Sequence, residues 1–121
     1  MSKSDHILII GFGRCGQSIA RILQQEETPY YAIDLDAERV ATAKAAGEPV
    51  TFGDAKRQEV LQAAGLKRAN TVLITINNMT EAKHILNNIM LIAPTMPVIV
   101  PRYQRRQHSC ANQYGCRRYR F

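Results

Sequence analysis

An α/β fold built as a doubly wound parallel sheet is predicted by three features of the sequence. Five short apolar runs alternate with segments whose apolar residues recur at helical spacing. The first run is followed at once by Gly11-Phe12-Gly13-Arg14-Cys15-Gly16, and the second closes on an acid, Asp34. Strands alternating with helices need right-handed crossovers, so the expected order is the Rossmann-like 3-2-1-4-5.

Residues 1–5 are a short polar lead. Residues 6–10, His-Ile-Leu-Ile-Ile, read as a strand buried on both faces, because the run is continuously apolar instead of alternating. A helix is expected over about residues 13–25, with Cys15, Ile19, Ile22 and Leu23 on its packing side. It ends before Thr28-Pro29, since the residue preceding a proline disfavours helical geometry. Residues 30–34 form the second strand. Asp36 is placed to cap the second helix, with Glu38 in its positive first turn, Val40, Ala43 and Ala46 facing inward, and Gly47 stopping it. Residues 49–52 are the third strand, and Gly53-Asp54-Ala55 turns into a helix carrying Val60, Leu61 and Ala64, ended by Gly65. Residues 71–76 are the most β-branched stretch and the fourth strand. Asn77 and Asn78 can cap the next helix, whose Ala82, Ile85, Leu86, Ile89 and Ile92 make one face and which Pro94 ends. Residues 98–100 are the fifth strand.

At 121 residues the chain is one domain. No apolar run approaches the length that crosses a bilayer, so a cytoplasmic location is expected, with any membrane role carried by other sequence. Cys15, Cys110 and Cys116 are odd in number and lack metal-ligand spacing, so reduced thiols are expected. The net charge of +6 is unevenly placed. Residues 1–101 hold ten Lys plus Arg and ten Asp plus Glu, and the whole excess lies in Arg102, Arg105, Arg106, Arg117, Arg118 and Arg120. Two kinds of sequence meet near Pro101.

Strand, glycine turn and helix are the context in which G-x-G-x-x-G becomes a dinucleotide fingerprint. Gly11 permits the tight turn, Gly13 leaves no side chain between backbone and pyrophosphate, and Gly16 lets the helix pack close to the strand. The helix N-terminus then meets the phosphates with unpaired amides and a positive dipole end. Arg14 can fork onto phosphate oxygens. Asp34, about twenty residues on, is where an acid hydrogen-bonds the adenosine ribose, and its charge favours NAD or an adenosine nucleotide over NADP. Ligands on such sheets lie beyond the strands' carboxyl ends, which places the Gly11 turn, Asp34, Gly53 to Ala55 and Ile76 to Asn78 around one crevice. Cys15 is expected to be a small core residue. His84 is expected to face solvent, and His6 has no evident role. No Tyr-x-x-x-Lys pair, Ser-His-Asp arrangement or His-Asp couple appears in the body of the chain, so binding without catalysis is expected. The alternatives are an NAD-dependent oxidoreductase fragment and a nucleic-acid-binding protein using the basic tail.

Ile-Gly-Phe-Gly-Arg-Cys-Gly at 10–16, Ile-Asp-Leu-Asp at 33–36 and Phe-Gly-Asp-Ala at 52–55 carry a resemblance, backed by Val60-Leu61, Ala64-Gly65-Leu66 and Ala69-Asn70. From residue 6 to residue 100 the sequence resembles the TrkA-N or RCK N-terminal domains, nucleotide-binding modules that regulate bacterial potassium channels and transporters. Within them it looks most like the Kef-type potassium/proton antiporter branch. The resemblance implies a site in which Gly11, Gly13, Arg14 and Gly16 hold the phosphates and Asp34 the ribose, with Phe12, Cys15 and Leu35 also among the cofactor-binding residues. Gly53, Asp54 and Ala55 border the adenine, and Thr75, Ile76 and Asn77 close the site. It further implies NAD(H) or AMP, ADP or ATP as ligand and a membrane potassium transporter or channel subunit as partner. A homodimer whose subunit angle responds to the nucleotide is also implied, at the inner face of the plasma membrane. Neither nucleic acid nor direct membrane insertion belongs to that picture. Met90 and Leu91 add apolar surface suited either to a subunit contact or to a broad buried face.

The pattern breaks at Pro101. The family continues with an Arg-Ala or Ala-Arg pair, an apolar-patterned helix and a sixth strand, whereas residues 102–121 show no helical stripe, strand alternation or acid. A sixth strand is therefore doubtful from sequence. Two accounts stand: a reading-frame shift at the Pro101 codon, or a basic tail with Tyr103, Tyr114, Tyr119 and Phe121 interleaved among its arginines.

Overall fold

The structure is a computed structural model that describes residues 5–101 and 116–119. Five strands run parallel, β1 (Ile7–Ile10), β2 (Tyr30–Asp34), β3 (Val50–Phe52), β4 (Thr71–Ile74) and β5 (Val98–Pro101). Between them lie α1 (Arg14–Gln25), α2 (Ala37–Ala45), α3 (Gln58–Ala63) with a 3-10 turn (Leu66–Arg68), and α4 (Met79–Ile92). The sheet order is β3-β2-β1-β4-β5, continued by an antiparallel edge strand β6 (Cys116–Tyr119). The predicted architecture and strand order are both observed.

Alternation along β1 builds two core layers. Leu8 and Ile10 face Leu61, Ala64, Ile85 and Ile89 of α3 and α4 and their connections. Ile9 faces the other way, among Phe12, Ala20, Val40 and Ala43 on the side of α1 and α2. Both faces are covered, which is why the run needs no polar residue. Ile10 pairs with Ile33 and with Ile74, so the three central strands end level. Their outgoing loops open onto one edge of the sheet.

Most boundaries agree with the sequence expectation, and Asp36 caps α2 by accepting from the amides of Glu38 and Arg39. Four points differ. Ile22, expected on the packing side of α1, is 44% exposed, and Cys15, Gly16 and Ala20 are the residues that helix buries. β4 stops at Ile74, because the Thr75 hydroxyl turns to the carbonyls of Ile10 (2.9 Å) and Gly11 (2.8 Å) and ties the chain to the first turn. Ala46 is exposed, since it follows the last turn of α2 as its C-cap. Asn88 interrupts the apolar inner face of α4 and is buried there, donating to the Lys56 carbonyl.

The tail, read from sequence as showing no strand pattern, contributes β6, with Val98 opposite Tyr119 and Pro101 opposite Cys116. An edge strand needs backbone pairing on one side alone, so missing apolar alternation does not prevent it. Residues 102–115, 120 and 121, to which the frame-shift and nucleic-acid readings also apply, lie outside the described residues.

Candidate functional site

A cavity of about 470 Å³ opens where β1, β2 and β4 end. Its floor is the glycine turn. Gly11 has φ +100°, and a Cβ there would stand 2.7 Å from Thr75 Oγ1, so glycine is required on both conformational and spatial grounds. Gly16 would bring a Cβ within 2.2 Å of the Gly11 carbonyl oxygen, which is how closely α1 sits on the turn that precedes it. Gly13 is different: it is extended, caps α1 without a side-chain hydrogen bond, and a Cβ there would meet nothing nearer than the Arg39 guanidinium at 3.9 Å. Among the described α-helices, α1 alone has neither an acid in its first turn nor a capping side chain, whereas α2, α3 and α4 carry Glu38, Glu59 and Glu81 there. An anion is favoured at a helix start of this kind.

Asp34 closes β2 on the cavity wall and is 7% exposed. Its Oδ2 accepts from the Phe12 amide at 2.6 Å and its Oδ1 from the Asp36 amide at 2.8 Å. Arg39 Nη1 approaches the same oxygens at 3.2 and 3.4 Å. The carboxylate thus clamps the glycine turn to the start of α2. Gly53 adds a further tie, its amide donating to the Asp34 carbonyl at 3.0 Å. Asp54 shapes the next loop by accepting from the Lys56 amide at 3.0 Å.

Of the residues expected at the site, Gly11, Gly13, Arg14, Cys15, Asp34 and Leu35 line the cavity. So do Gly53, Asp54 and Ala55 from the β3 end, and Thr75, Ile76 and Asn77 from the β4 end. Two of the expected residues do not line it. The Phe12 side chain is buried on the far side of the sheet, stacked on Tyr30 at 6.5 Å, and its amide donates to Asp34. Gly16 is off the wall and acts by close packing. Cys15, expected as a reduced core thiol, is buried as foreseen but disulfide-bonded; sequence spacing does not report which sulfurs meet in space.

Sequence reasoning missed Arg39 and Glu81, which also line the cavity. Arg39 had a signal. With Asp36 as cap, the third helical residue lies in the first turn, and helical side chains lean back toward the N-terminus, here toward Asp34. The wall therefore holds two guanidinium groups, Arg14 and Arg39, with three carboxylates, Asp34, Asp54 and Glu81. Among the described residues no group of three His, Cys, Asp or Glu is arranged to hold a metal, and no helix is long and apolar enough to cross a membrane.

Comparison with known proteins gives concordant results. The family model for the TrkA-N domain matches residues 7–118. The chain is 40% identical over 96 residues to a putative K(+) efflux antiporter KefB of Alkalimonas amylolytica, a match covering 79% of this chain and 14% of that protein. Among solved structures, the TrkA-N domain of the inner membrane protein ybaL from Escherichia coli superposes with a TM-score of 0.76 at 28% identity, covering 80% of this chain and 72% of that one. The Kef CTD of Shewanella denitrificans in its AMP-bound form gives 0.70 at 27% identity, covering 84% and 60%.

Proposed function

This chain belongs to the TrkA-N domain family, and from that premise we propose that it is the nucleotide-sensing regulatory domain of a Kef- or Trk-type potassium transport system. It binds NAD(H) or an adenine nucleotide at the cavity above the glycine turn and performs no chemistry on it. The observation that carries the proposal is the cavity itself. An uncapped helix start at Gly13 and the carboxylate of Asp34, from two separate chain segments, converge on one opening at the carboxyl ends of the strands. The AMP-bound state of the related Kef structure supports the choice of ligand.

The phosphate is received by the α1 amides and Arg14, the ribose by Asp34, and the adenine by the Gly53 to Ala55 loop. The partner is a membrane potassium transporter or channel subunit at the inner face of the membrane. The working form is a homodimer whose subunit arrangement shifts with the ligand. Such a shift requires that the nucleotide bind one arrangement more tightly than the other. Leu91 on α4, 73% exposed, offers apolar surface for a subunit contact.

Equilibrium titration with AMP, NAD⁺ and NADH tests the proposal. Saturable binding that Gly13→Val abolishes in a folded protein supports it. Absence of binding by all three at millimolar ligand refutes it.

A further inference from the structure

Glu81 stands on the cavity wall without a part in the reading above. The order of the strands says which portion of a ligand it meets. The Gly53 to Ala55 loop follows β3, Asp34 closes β2 and the glycine turn follows β1, in the sheet order β3-β2-β1-β4. A nucleotide bound as above therefore runs from β3 toward β1, base first and phosphate last. Anything attached beyond that phosphate is carried on to the end of β4, where Ile74 stands level with Ile10 across about 5 Å of strand spacing.

Two helix starts border this path, and they differ. α1 begins at Gly13 with no acid and no capping side chain. α4 begins at Asn78, whose Oδ1 accepts from the Glu81 amide at 3.1 Å, and Glu81 is itself the acid of the first turn. A carboxylate at that place offsets the positive pole of the helix. Helical side chains lean back toward the N-terminus, a direction that leads from Glu81 toward the cavity. Glu81 is half-buried, between exposed Thr80 and buried Ala82, so water screens its charge only in part. Arg39 lies at the other end, 3.2 Å from Asp34. Among the described residues, no Lys or Arg of β4 or α4 lines the cavity.

We propose that Glu81 is a specificity-determining residue that excludes a third phosphate, so that the cavity takes adenosine mono- and diphosphate groups, the latter free or within a dinucleotide, in preference to ATP. The inference rests on the nucleotide reading above. One or two phosphates are held at the start of α1 and by Arg14. A third is carried to a carboxylate and a capped helix, with no cation of β4 or α4 to receive it, and like charges then meet in a cleft that water fills only partly. The second ribose of a dinucleotide brings hydroxyl donors to the same place, which a carboxylate accepts.

Titrations of AMP, NAD⁺ and ATP in EDTA, which keeps the phosphate chain free of a bridging cation, test the proposal on wild type, Glu81→Gln and Glu81→Asp, each checked for fold by circular dichroism. Wild type is expected to bind AMP about tenfold or more tightly than ATP, the scale of one like-charge contact at an effective dielectric constant of about 20. Glu81→Gln, which keeps the size and removes the charge, is expected to recover most of that factor for ATP, while AMP and NAD⁺ gain nothing. Glu81→Asp, which keeps the charge, should discriminate as wild type does. A wild type that binds ATP as tightly as AMP, an ATP to AMP affinity ratio unmoved in Glu81→Gln, or an equal gain for NAD⁺ and ATP overturns this inference and leaves the nucleotide reading standing. A wild type that binds none of the three overturns both.

Discussion

Replacing Gly16 and Gly13 by alanine, one at a time, separates the part of the glycine turn that packs from the part that must stay open. At Gly16 the new Cβ would meet the Gly11 carbonyl oxygen at 2.2 Å, its carbon at 3.1 Å and Ile9 Cγ2 at 3.4 Å. Two of these are backbone atoms of the turn, so relief requires α1 to lift off β1. Alanine is favoured in a helix over glycine by about 1 kcal/mol, whereas forcing an extra carbon into a packed contact costs about 1–3 kcal/mol and occasionally more. With backbone on the opposing side the upper end applies, leaving a net loss of about 2 kcal/mol. For a domain of this size that is a fall in Tm of roughly 6–12 °C.

Gly13 has φ −77° and ψ −155°, open to any residue, and a Cβ there finds nothing nearer than Arg39 Nη1 at 3.9 Å. Gly13→Ala should therefore change stability by no more than about 0.5 kcal/mol. AMP affinity should drop by about tenfold or more, because the methyl stands between the amides and the phosphate and costs one hydrogen bond to a charged group. Thermal melts followed by circular dichroism and AMP titrations on the same samples give both numbers. A Gly16→Ala protein that melts with wild type, or a Gly13→Ala protein that unfolds, refutes the division of roles.

Asp34→Ala should lower stability as well as ligand affinity. The Phe12 and Asp36 amides lose their acceptor, at about 1–3 kcal/mol for a buried unsatisfied donor, and an unchanged urea midpoint would contradict the clamp. Tyr30 predicts alkaline sensitivity: burial, assisted by the nearby charge of Glu48 and opposed by the Gln24 hydrogen bond, raises its hydroxyl above the ordinary 10.0. The native state then keeps a proton that the unfolded chain releases. This contribution to stability is fully present below pH 10.0 and is lost as pH rises from there through the native value, a slope that Tyr30→Phe should remove from urea midpoints measured across that range. Asn88→Leu should cost about 1 kcal/mol and speed amide exchange around Lys56, since the loop bordering the cavity loses its hydrogen bond to α4; unaltered exchange would show that the contact is not what holds the loop.

Several elements were legible because their causes are local. The continuous apolar run before Gly11, the proline after Thr28 and the acid at residue 36 each act within a few positions. β1, α1, β2 and the cap of α2 lie where those signals point. The cavity wall was legible for a related reason: level parallel strands put their outgoing turns side by side, so naming the turns named most of the lining. Phe12 belongs to the motif but not to the cavity wall, because nearness along the chain does not fix direction. Its side chain leaves the alternation of β1: continued, that alternation would place residue 12 with Leu8 and Ile10, but the turn at Gly11, with φ +100°, puts it in the layer of Ile9, and its amide meets Asp34. The end of β4 turns on a hydroxyl of Thr75 that meets carbonyls more than sixty positions earlier, which no window of sequence reports. Asn88 and Lys56 meet in the same way across 32 positions.

By itself, the amino-acid sequence determined the sheet, its order and the chain segments that meet at its open edge, because periodicity, capping and glycine conformation are properties of short stretches. Tertiary structure alone decided how Asp34 is used. Its oxygens are shared among an amide from the glycine turn, an amide from α2 and the guanidinium of Arg39, and that sharing depends on the ångström-scale register of two strands and a helix.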